Sequence, residues 1–461
     1  MIPPAYKHQR ETVDFCLTNP QMLNFSDPGT GKTRAHADAY VATPNRGRAL
    51  VLAPLSILEV AWAQDIAEYQ PTMKVAIADA KHRKAAMQSD SDFVIANHAG
   101  IKAIVDMQRK DKGVLREFTH LIADEADAYK NLAGRGGSAQ AKALADVRHL
   151  FKYRQMLTGS PGANSILDLW GIAFLCDDGK ALGDSYFGFR NQVTVPHQVG
   201  PSAQMIEWRE RPGALEMVMK LLEPITIRYR KEDCVDIPPN HVHTRFTKLP
   251  TAVRNIYNTM LYESLVELEN GSLVSAIHAG ARAQKLLQIC TGAVYNNNGD
   301  TDVVHLDRYQ LVTDLVLERP WPCVVVFNWR HEREQLVALA EAKGIKHAVI
   351  DGTVPHEARA DIVRRFQAGE IRELILHPQT AAHGLTLTTG RTTIWSSPTP
   401  RADWFIQANA RIDRNGQKFE TETILIIAEN TREARVYDML QGKVERVSSL
   451  LGLIVDMKEA A

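Results

Sequence analysis

Ser26-Asp27-Pro28-Gly29-Thr30-Gly31-Lys32-Thr33 follows a short apolar run at residues 22–25 and precedes a helical pattern. Strand, glycine-rich loop and helix is the order a phosphate loop needs. Glycines let backbone N–H groups turn inward, and the next helix points its N-terminus at the anion. Lys32 is placed to reach the β and γ phosphates of a nucleotide, and Thr33 to hold Mg²⁺. The strict pattern GxxxxGK[ST] is not met, because Ser26 stands where its first glycine belongs.

Two further stretches carry chemistry that suits such a loop. In Leu121-Ile122-Ala123-Asp124-Glu125-Ala126-Asp127 an apolar strand ends in adjacent carboxylates. Asp124 is expected to bind Mg²⁺ through water, and Glu125 to orient and deprotonate an attacking water. Far downstream, Gln407-Ala408-Asn409-Ala410-Arg411-Ile412-Asp413-Arg414 spaces two arginines three apart on a predicted helix. That spacing puts both guanidinium groups on one face, where they can neutralise charge on a transferring phosphoryl group. Loop and arginines together suggest a motor whose two halves close on ATP.

The 461 residues exceed one ordinary core and suit about two domains. Hydrophobic residues make up 45% and charged residues 23%, which favours neither a disordered nor a membrane class. Lys+Arg and Asp+Glu both number 54, so nucleic acid must be met by a local groove rather than the average field. The five cysteines (Cys16, Cys176, Cys234, Cys290, Cys323) form no CxxC or Cys/His cluster, which argues against zinc and suits a reducing cytoplasm. No apolar run approaches a spanning helix, and the first residues carry no signal-like apolar region, so a cytoplasmic location is expected.

Short apolar runs alternate with helical patterns in two blocks. The first has strand candidates at residues 22–25, 49–53, 93–96, 121–124 and 154–158, with helices such as 57–69 and 140–151. The second has strands at 323–327, 347–350, 373–376, 392–395 and 423–428, with helices at 332–343 and 356–367. Such alternation predicts α/β architecture, parallel sheets covered by helices, with ligands at the carboxyl ends of the strands. Between the blocks, residues 215–222, 251–271 and 272–289 read as helical protrusions without intervening strands. Ile237-Pro238-Pro239-Asn240 is the best linker, since paired prolines cannot continue a helix. The expected domains are 1–235, with a protrusion about 176–225, and 236–461, with a protrusion about 251–300.

These residues resemble the superfamily-two helicase-like ATPases, and within them the Swi/Snf-related (Snf-two) branch, over nearly the whole chain. Tyr6 and Gln9 resemble the N-terminal glutamine motif, residues 26–33 motif I, and Ala53-Pro54-Leu55-Ser56 with Trp62 motif Ia. Residues 124–127 resemble motif II, trailed by Lys130-Asn131, and Leu157-Thr158-Gly159-Ser160-Pro161 with Asn164 motif III. Arg228-Tyr229-Arg230-Lys231-Glu232-Asp233 with Ile237-Pro238-Pro239 resembles the branch's connector. Ile350-Asp351-Gly352-Thr353 with Arg359 and Phe366 is similar to a second-lobe pattern. His383-Gly384-Leu385-Thr386-Leu387 is similar to motif V, and Gln407, Arg411, Arg414 and Gly416-Gln417 to motif VI. Residues 383–385, 407–411 and 416–417 look most like compact bacteriophage-encoded members. Asp127 stands where His is common in the branch, Thr386 where Asn is usual, and Ala410 where many helicases carry Gly.

The resemblance implies two tandem RecA-like lobes with short helical protrusions, ATP between them, and nucleic acid across the top. It implies ATP and Mg²⁺ as cofactors, with Tyr6, Gln9, Asp27, Pro28, Gly29, Thr30, Gly31, Lys32, Thr33 and Gln407 on the nucleotide. Tracking contacts would map to Pro54, Leu55, Ser56, Asn97, His98, Thr353, His383 and Gly384. Arg330, Arg135 and Lys102 could add to that groove. Small polar groups suit phosphate contact, so little sequence preference and salt-sensitive binding are expected. Trp395 and Trp404 read as packing residues. His241 and His243 have no supporting ligands nearby for a metal.

The expected activity is therefore an ATP-dependent translocase on double-stranded or branched DNA. An RNA or single-strand helicase, the motor subunit of a restriction system and a non-hydrolysing binding module are the alternatives. The connector and Gly416-Gln417 favour the first reading, and Lys32, Glu125, Arg411 and Arg414 oppose the last.

Overall fold

The computed structural model describes residues 2–133, 136–198, 206–234, 237–269, 283–295, 301–381 and 385–459. The chain forms two compact units. Met1–Val195, Glu210–Asp236 and the stretch from Glu445 onward make the first; Pro196–Arg209 and Ile237–Val444 make the second.

The first unit is built on β1 (Gln21–Asn24), β2 (Arg48–Ala53), β3 (Val75–Ile77), β4 (Phe93–Asn97), β5 (Phe118–Ala123) and β6 (Tyr153–Leu157). After β6 come β7 (Thr194–Gln198) and β8 (Ile206–Glu210), which pair with each other and lie mostly in the Pro196–Arg209 part of the second unit, and then β9 (Thr226–Ile227), which belongs to the first. The sheet order is β3-β4-β2-β5-β6-β1-β9, and every pairing is parallel. Its central strands are mostly apolar and buried on both faces, as a sheet covered by helices requires, with His120, Arg154 and Gln155 as buried polar exceptions. Tyr40, Val51, Trp62, Ile66, Phe93 and Ile122 anchor one core face.

The second unit holds β10 (Asn240–Thr247), the antiparallel pair β11 (Ala293–Tyr295) and β12 (Thr301–Val303), then β13 (Cys323–Val326), β14 (His347–Ile350), β15 (Glu373–Leu376), β16 (Thr392–Trp395) and β17 (Thr421–Ala428). Its main sheet runs β10-β17-β16-β13-β15-β14, again all parallel. Val325, Ile375, Ile394 and Ile424 face one core, while Phe366, Leu374 and Trp395 face another. The α/β class with two parallel-sheet lobes and short helical protrusions thus stands.

Three local expectations are corrected. The middle of the chain is not free of strands, since β7 to β10 lie there. β10 (Asn-His-Val-His-Thr-Arg-Phe-Thr) carries polar groups on both faces and is exposed along most of its length. It is an edge strand held by its backbone pairing with β17, and no apolar stripe announces it. The predicted helix at 57–69 is three pieces: 3₁₀ Leu55–Ile57, a π-helical turn Leu58–Ala63 and α-helix Gln64–Tyr69. Helix Ala402–Asn409 stops before both arginines, so Arg411 and Arg414 lie in the turns after it rather than on a shared helix face. The amides of Ile412 and Asp413 both bond Asn409 O, and Gly416 at φ 96° continues the irregular path.

Of the 251–289 stretch, Thr251–Glu269 is helical and residues 270–282 lie outside the described residues. Among the described residues no helix is long and apolar enough to cross a membrane.

Candidate nucleotide and nucleic-acid site

Because the strands are parallel, their carboxyl ends share one edge of the first sheet. Asn97 ends β4, Pro54 follows β2, Asp124 follows β5, Thr158 follows β6, Ser26 lies just beyond β1 and Arg228 follows β9. Strand order therefore ranks these segments in space along that edge. Four strand spacings separate β4 from β1, roughly 19 Å at ordinary sheet geometry. The loop at 26–31 and the residues at 54 and 97–98 thus lie on one edge but at distinct places along it.

The loop after β1 has the conformation its glycines permit. Gly29 and Gly31 adopt φ of 89° and 74°, and Gly31 caps the N-terminus of helix Lys32–Ala42. A Cβ on Gly31 would stand 2.2 Å from Gln9 Nε2, so the N-terminal helix Lys7–Thr18 closes on the loop. Gln9 Nε2 lies 3.5 Å from Gly31 O, its Oε1 accepts the Tyr6 amide at 2.9 Å, and His8 Nε2 lies 2.8 Å from Thr30 O. Lys32 Nζ donates to Ser26 O at 2.7 Å and Asp27 O at 3.1 Å. The Thr30 hydroxyl donates to Asp27 O, and Pro28 packs against Gly159 closely enough that a Cβ there would clash.

A buried chain of bonds supports the loop from below. Asn24 Oδ1 accepts the Ser26 amide at 3.0 Å, and Asn24 Nδ2 bonds His36 Nε2 at 3.0 Å. His36 Nε2 must then accept, which leaves Nδ1–H to donate to Gln155 Oε1 at 2.7 Å. Burial lowers the His36 pKa to about 4, so the ring stays neutral as this arrangement requires.

After β5, Asp124 Oδ2 accepts the Trp62 indole N–H at 2.9 Å and Oδ1 accepts the Glu125 amide at 3.0 Å. Glu125 has φ 51°, an uncommon backbone for a residue with a side chain. Asp127 Oδ2 accepts the hydroxyls of Thr158 and Ser160. Asp127 therefore links the segments after β5 and β6. His98 Nδ1 lies 2.9 Å from Tyr129 OH.

In the second unit, Arg411 is buried and donates Nε–H to Gln407 O at 3.0 Å, while its own carbonyl accepts the Leu387 amide. Arg414 donates to Leu385 O at 3.1 Å. Gln417 Nε2 donates to Gly390 O and Ile412 O. Thr353 donates both its amide and its hydroxyl to Asp351 Oδ1, and Asp351 pairs with Arg333 at 2.8 Å. Trp395 is fully buried against Phe405, with Nε1–H donating to Asn409 Oδ1. Trp404 meets His377 and the Arg401 guanidinium.

His383, Gly384 and Arg135 lie outside the described residues, as does the Ser56 side chain. Sequence reasoning missed Asn24 and His36, and it quoted Ser26 and Thr158 only within the loop and the motif III resemblance, without their partners. Ser26 was visible only as a failed glycine, and the others are single polar residues at the ends or on the face of apolar elements.

A parallel α/β unit with a glycine-rich loop at its carboxyl edge is followed in the chain by a second parallel α/β unit. Residues 8–293 match the SNF2-related domain, and residues 307–416 match the helicase conserved C-terminal domain. The first match spans more than half of the chain, which belongs to the SNF2-related family of ATP-dependent helicases and translocases.

Putative protein p41 of Acyrthosiphon pisum secondary endosymbiont phage 1 is 28% identical, over 84% of this chain and 83% of its own. The putative ATP-dependent helicase/translocase YwqA of Bacillus subtilis is 22% identical, over 90% of this chain and 45% of its own. The chain thus spans most of the phage protein but less than half of YwqA. The solved Sulfolobus solfataricus SWI2/SNF2 ATPase core in complex with dsDNA is 19% identical at a TM-score of 0.44, over 98% of this chain and 93% of that one.

Proposed function

We propose that the chain is an ATP-driven motor that couples hydrolysis to movement along double-stranded or branched DNA. The observation that carries this reading is the loop at 26–33, closed by the N-terminal helix at the edge where Asp124 and Glu125 emerge. Membership of a family of ATP-dependent helicases supports it, as does the translocase reading of YwqA.

The residues fit a magnesium nucleotide. Positive-φ glycines free loop amides to face an anion, and the loop runs into a helix N-terminus. The Thr33 hydroxyl and the Asp124 carboxylate are the hard oxygen donors Mg²⁺ prefers. When bound, Mg²⁺ supplies positive charge to the β and γ phosphate oxygens. Lys32 neutralises the same phosphates. Glu125 holds the attacking water and takes its proton. Arg411 and Arg414 stabilise the transferring phosphoryl group. Tyr6 and Gln9 position the base, with Gln9 acting through Gly31 as well.

Pro54, Asn97, His98 and Thr353, with Ser56, His383 and Gly384, are the proposed contacts to the DNA backbone. Such contacts give affinity without reading bases. The test is steady-state ATP turnover with blunt duplex, forked DNA, single-stranded DNA and RNA at two salt concentrations. Duplex or forked DNA is expected to stimulate most, with stimulation falling as salt rises. Stimulation by RNA alone overturns the DNA reading.

A further inference from the structure

The segment after β9 is seated directly on the phosphate loop. Phe25 N–H donates to Ile227 O at 2.9 Å, and Asp27 N–H to Tyr229 O at 3.0 Å. In return Tyr229 N–H donates to Ser26 Oγ at 3.0 Å, and Lys231 N–H to Asp27 Oδ2 at 3.0 Å. Arg228 Nη1 completes the seat, 3.2 Å from both Asp27 Oδ1 and Phe25 O. Its side chain is 6% exposed, against 28% for Asp27. The Tyr229 ring tilts against His8 at 5.6 Å, and His8 in turn bonds Thr30 O. Both oxygens of Asp27 and the hydroxyl of Ser26 are thus bonded to residues 228–231, some two hundred positions away in sequence.

This explains the departure at Ser26. A glycine there would give the Tyr229 amide no hydroxyl to bond. Asp27 has a comparable reason to be acidic, because Arg228 is almost fully withdrawn from water and needs a counter-charge. Residue 231 also lies six positions before Ile237, where the second unit resumes. The loop that holds the phosphates and the segment that leads out of the first unit therefore share one set of bonds.

We propose that Arg228 is a positioning residue for the phosphate loop. Its pair with Asp27, together with the Ser26–Tyr229 bond, makes nucleotide binding and the seating of residues 226–232 one coupled equilibrium. Coupling of this kind is reciprocal: what tightens the seat tightens nucleotide binding, and bound nucleotide tightens the seat. The inference rests on the reading of residues 26–33 as the triphosphate loop.

Hydrogen exchange of the full chain with and without MgADP tests it, beside MgADP affinity of Arg228→Ala, Arg228→Lys, Asp27→Asn and Lys32→Ala. MgADP is expected to slow exchange in peptides covering 25–33 and 226–232 together. Arg228→Ala is expected to weaken MgADP roughly tenfold, the scale of one lost charge-assisted bond, with partial rescue by Lys. Asp27→Asn in the Arg228→Ala background is expected to add little. Protection of 25–33 without any change in 226–232, or wild-type affinity in Arg228→Ala, overturns the inference and leaves the loop reading intact. Wild-type MgADP affinity in Lys32→Ala, with neither peptide protected, overturns the loop reading and the inference with it. If Arg228→Ala does not fold, the exchange measurement on the wild-type chain decides alone.

Discussion

Trp62 Nε1 donates to Asp124 Oδ2 at 2.9 Å from a fully buried indole. Trp62 lies in the π-helical turn Leu58–Ala63, whose extra residue per turn changes the direction in which its side chains project. An apolar core residue thereby orients a carboxylate proposed to act on Mg²⁺. Trp62→Phe keeps most of the packing and deletes the donor. Turnover is expected to fall roughly tenfold or more, as for other lost partners of metal-binding groups, with a raised Mg²⁺ requirement. An Mg²⁺ titration of ATP turnover checks this, and an unchanged titration counts against the role of Asp124.

Asp127 gathers two buried hydroxyls, from Thr158 and Ser160. Asp127→Ala leaves both without this acceptor. A loss of about 1–3 kcal/mol in unfolding free energy is expected, the range for buried groups left unsatisfied. Ser160→Ala in the same background should recover part of it. Denaturant unfolding of the single and double variants measures the coupling, and strict additivity would show that the contact carries none.

Glu373 begins β15 in a nearly dry environment, and burial raises its pKa to about 7 from 4.5. Below about pH 4.5 it is protonated in both folded and unfolded chains and costs nothing. As pH rises towards 7 the unfolded chain loses its proton first, so this group lowers stability, and its full cost is present above 7. Glu373→Gln does not titrate. The variant should gain on wild type between pH 5 and pH 8, by an amount on the order of 1–3 kcal/mol. Unfolding midpoints at the two pH values report it, and an identical difference at both would refute it.

Arg414 and Arg411 should separate in their effects. Arg411 is buried and bonded within its own turn, whereas Arg414 is less enclosed and holds Leu385 O. Arg414→Ala is expected to reduce kcat by about a hundredfold or more with a smaller change in ATP affinity, the pattern of a cation acting on the transition state. Equal losses in both would assign it to binding alone. Arg411→Ala should in addition lower the melting temperature.

Legibility in the sequence followed burial. Strands such as β13 and β15 were readable because central parallel strands are mostly apolar runs, whereas β10 was not, because His241, His243 and Arg245 make one face polar and Thr244 separates Val242 from Phe246 on the other. The strand, glycine-rich loop and helix around residues 26–33, and the strand ending before Asp124-Glu125, were readable because apolar runs bounded by glycines or paired acids mark strand ends. Arg411 and Arg414 were singled out from their spacing, but the helix expected beneath them ends at Asn409 and turns follow it. The bonds joining Ser26 and Asp27 to residues 228–231 were invisible, since no local pattern reports a contact across some two hundred residues.

The most direct measurement of the central claim is ATP binding and turnover by Lys32→Ala and Glu125→Gln in the presence of duplex DNA. Lys32→Ala should lose turnover, and Glu125→Gln should bind ATP yet fail to hydrolyse it. Wild-type turnover in Lys32→Ala would contradict the assignment of residues 26–33 as the triphosphate loop.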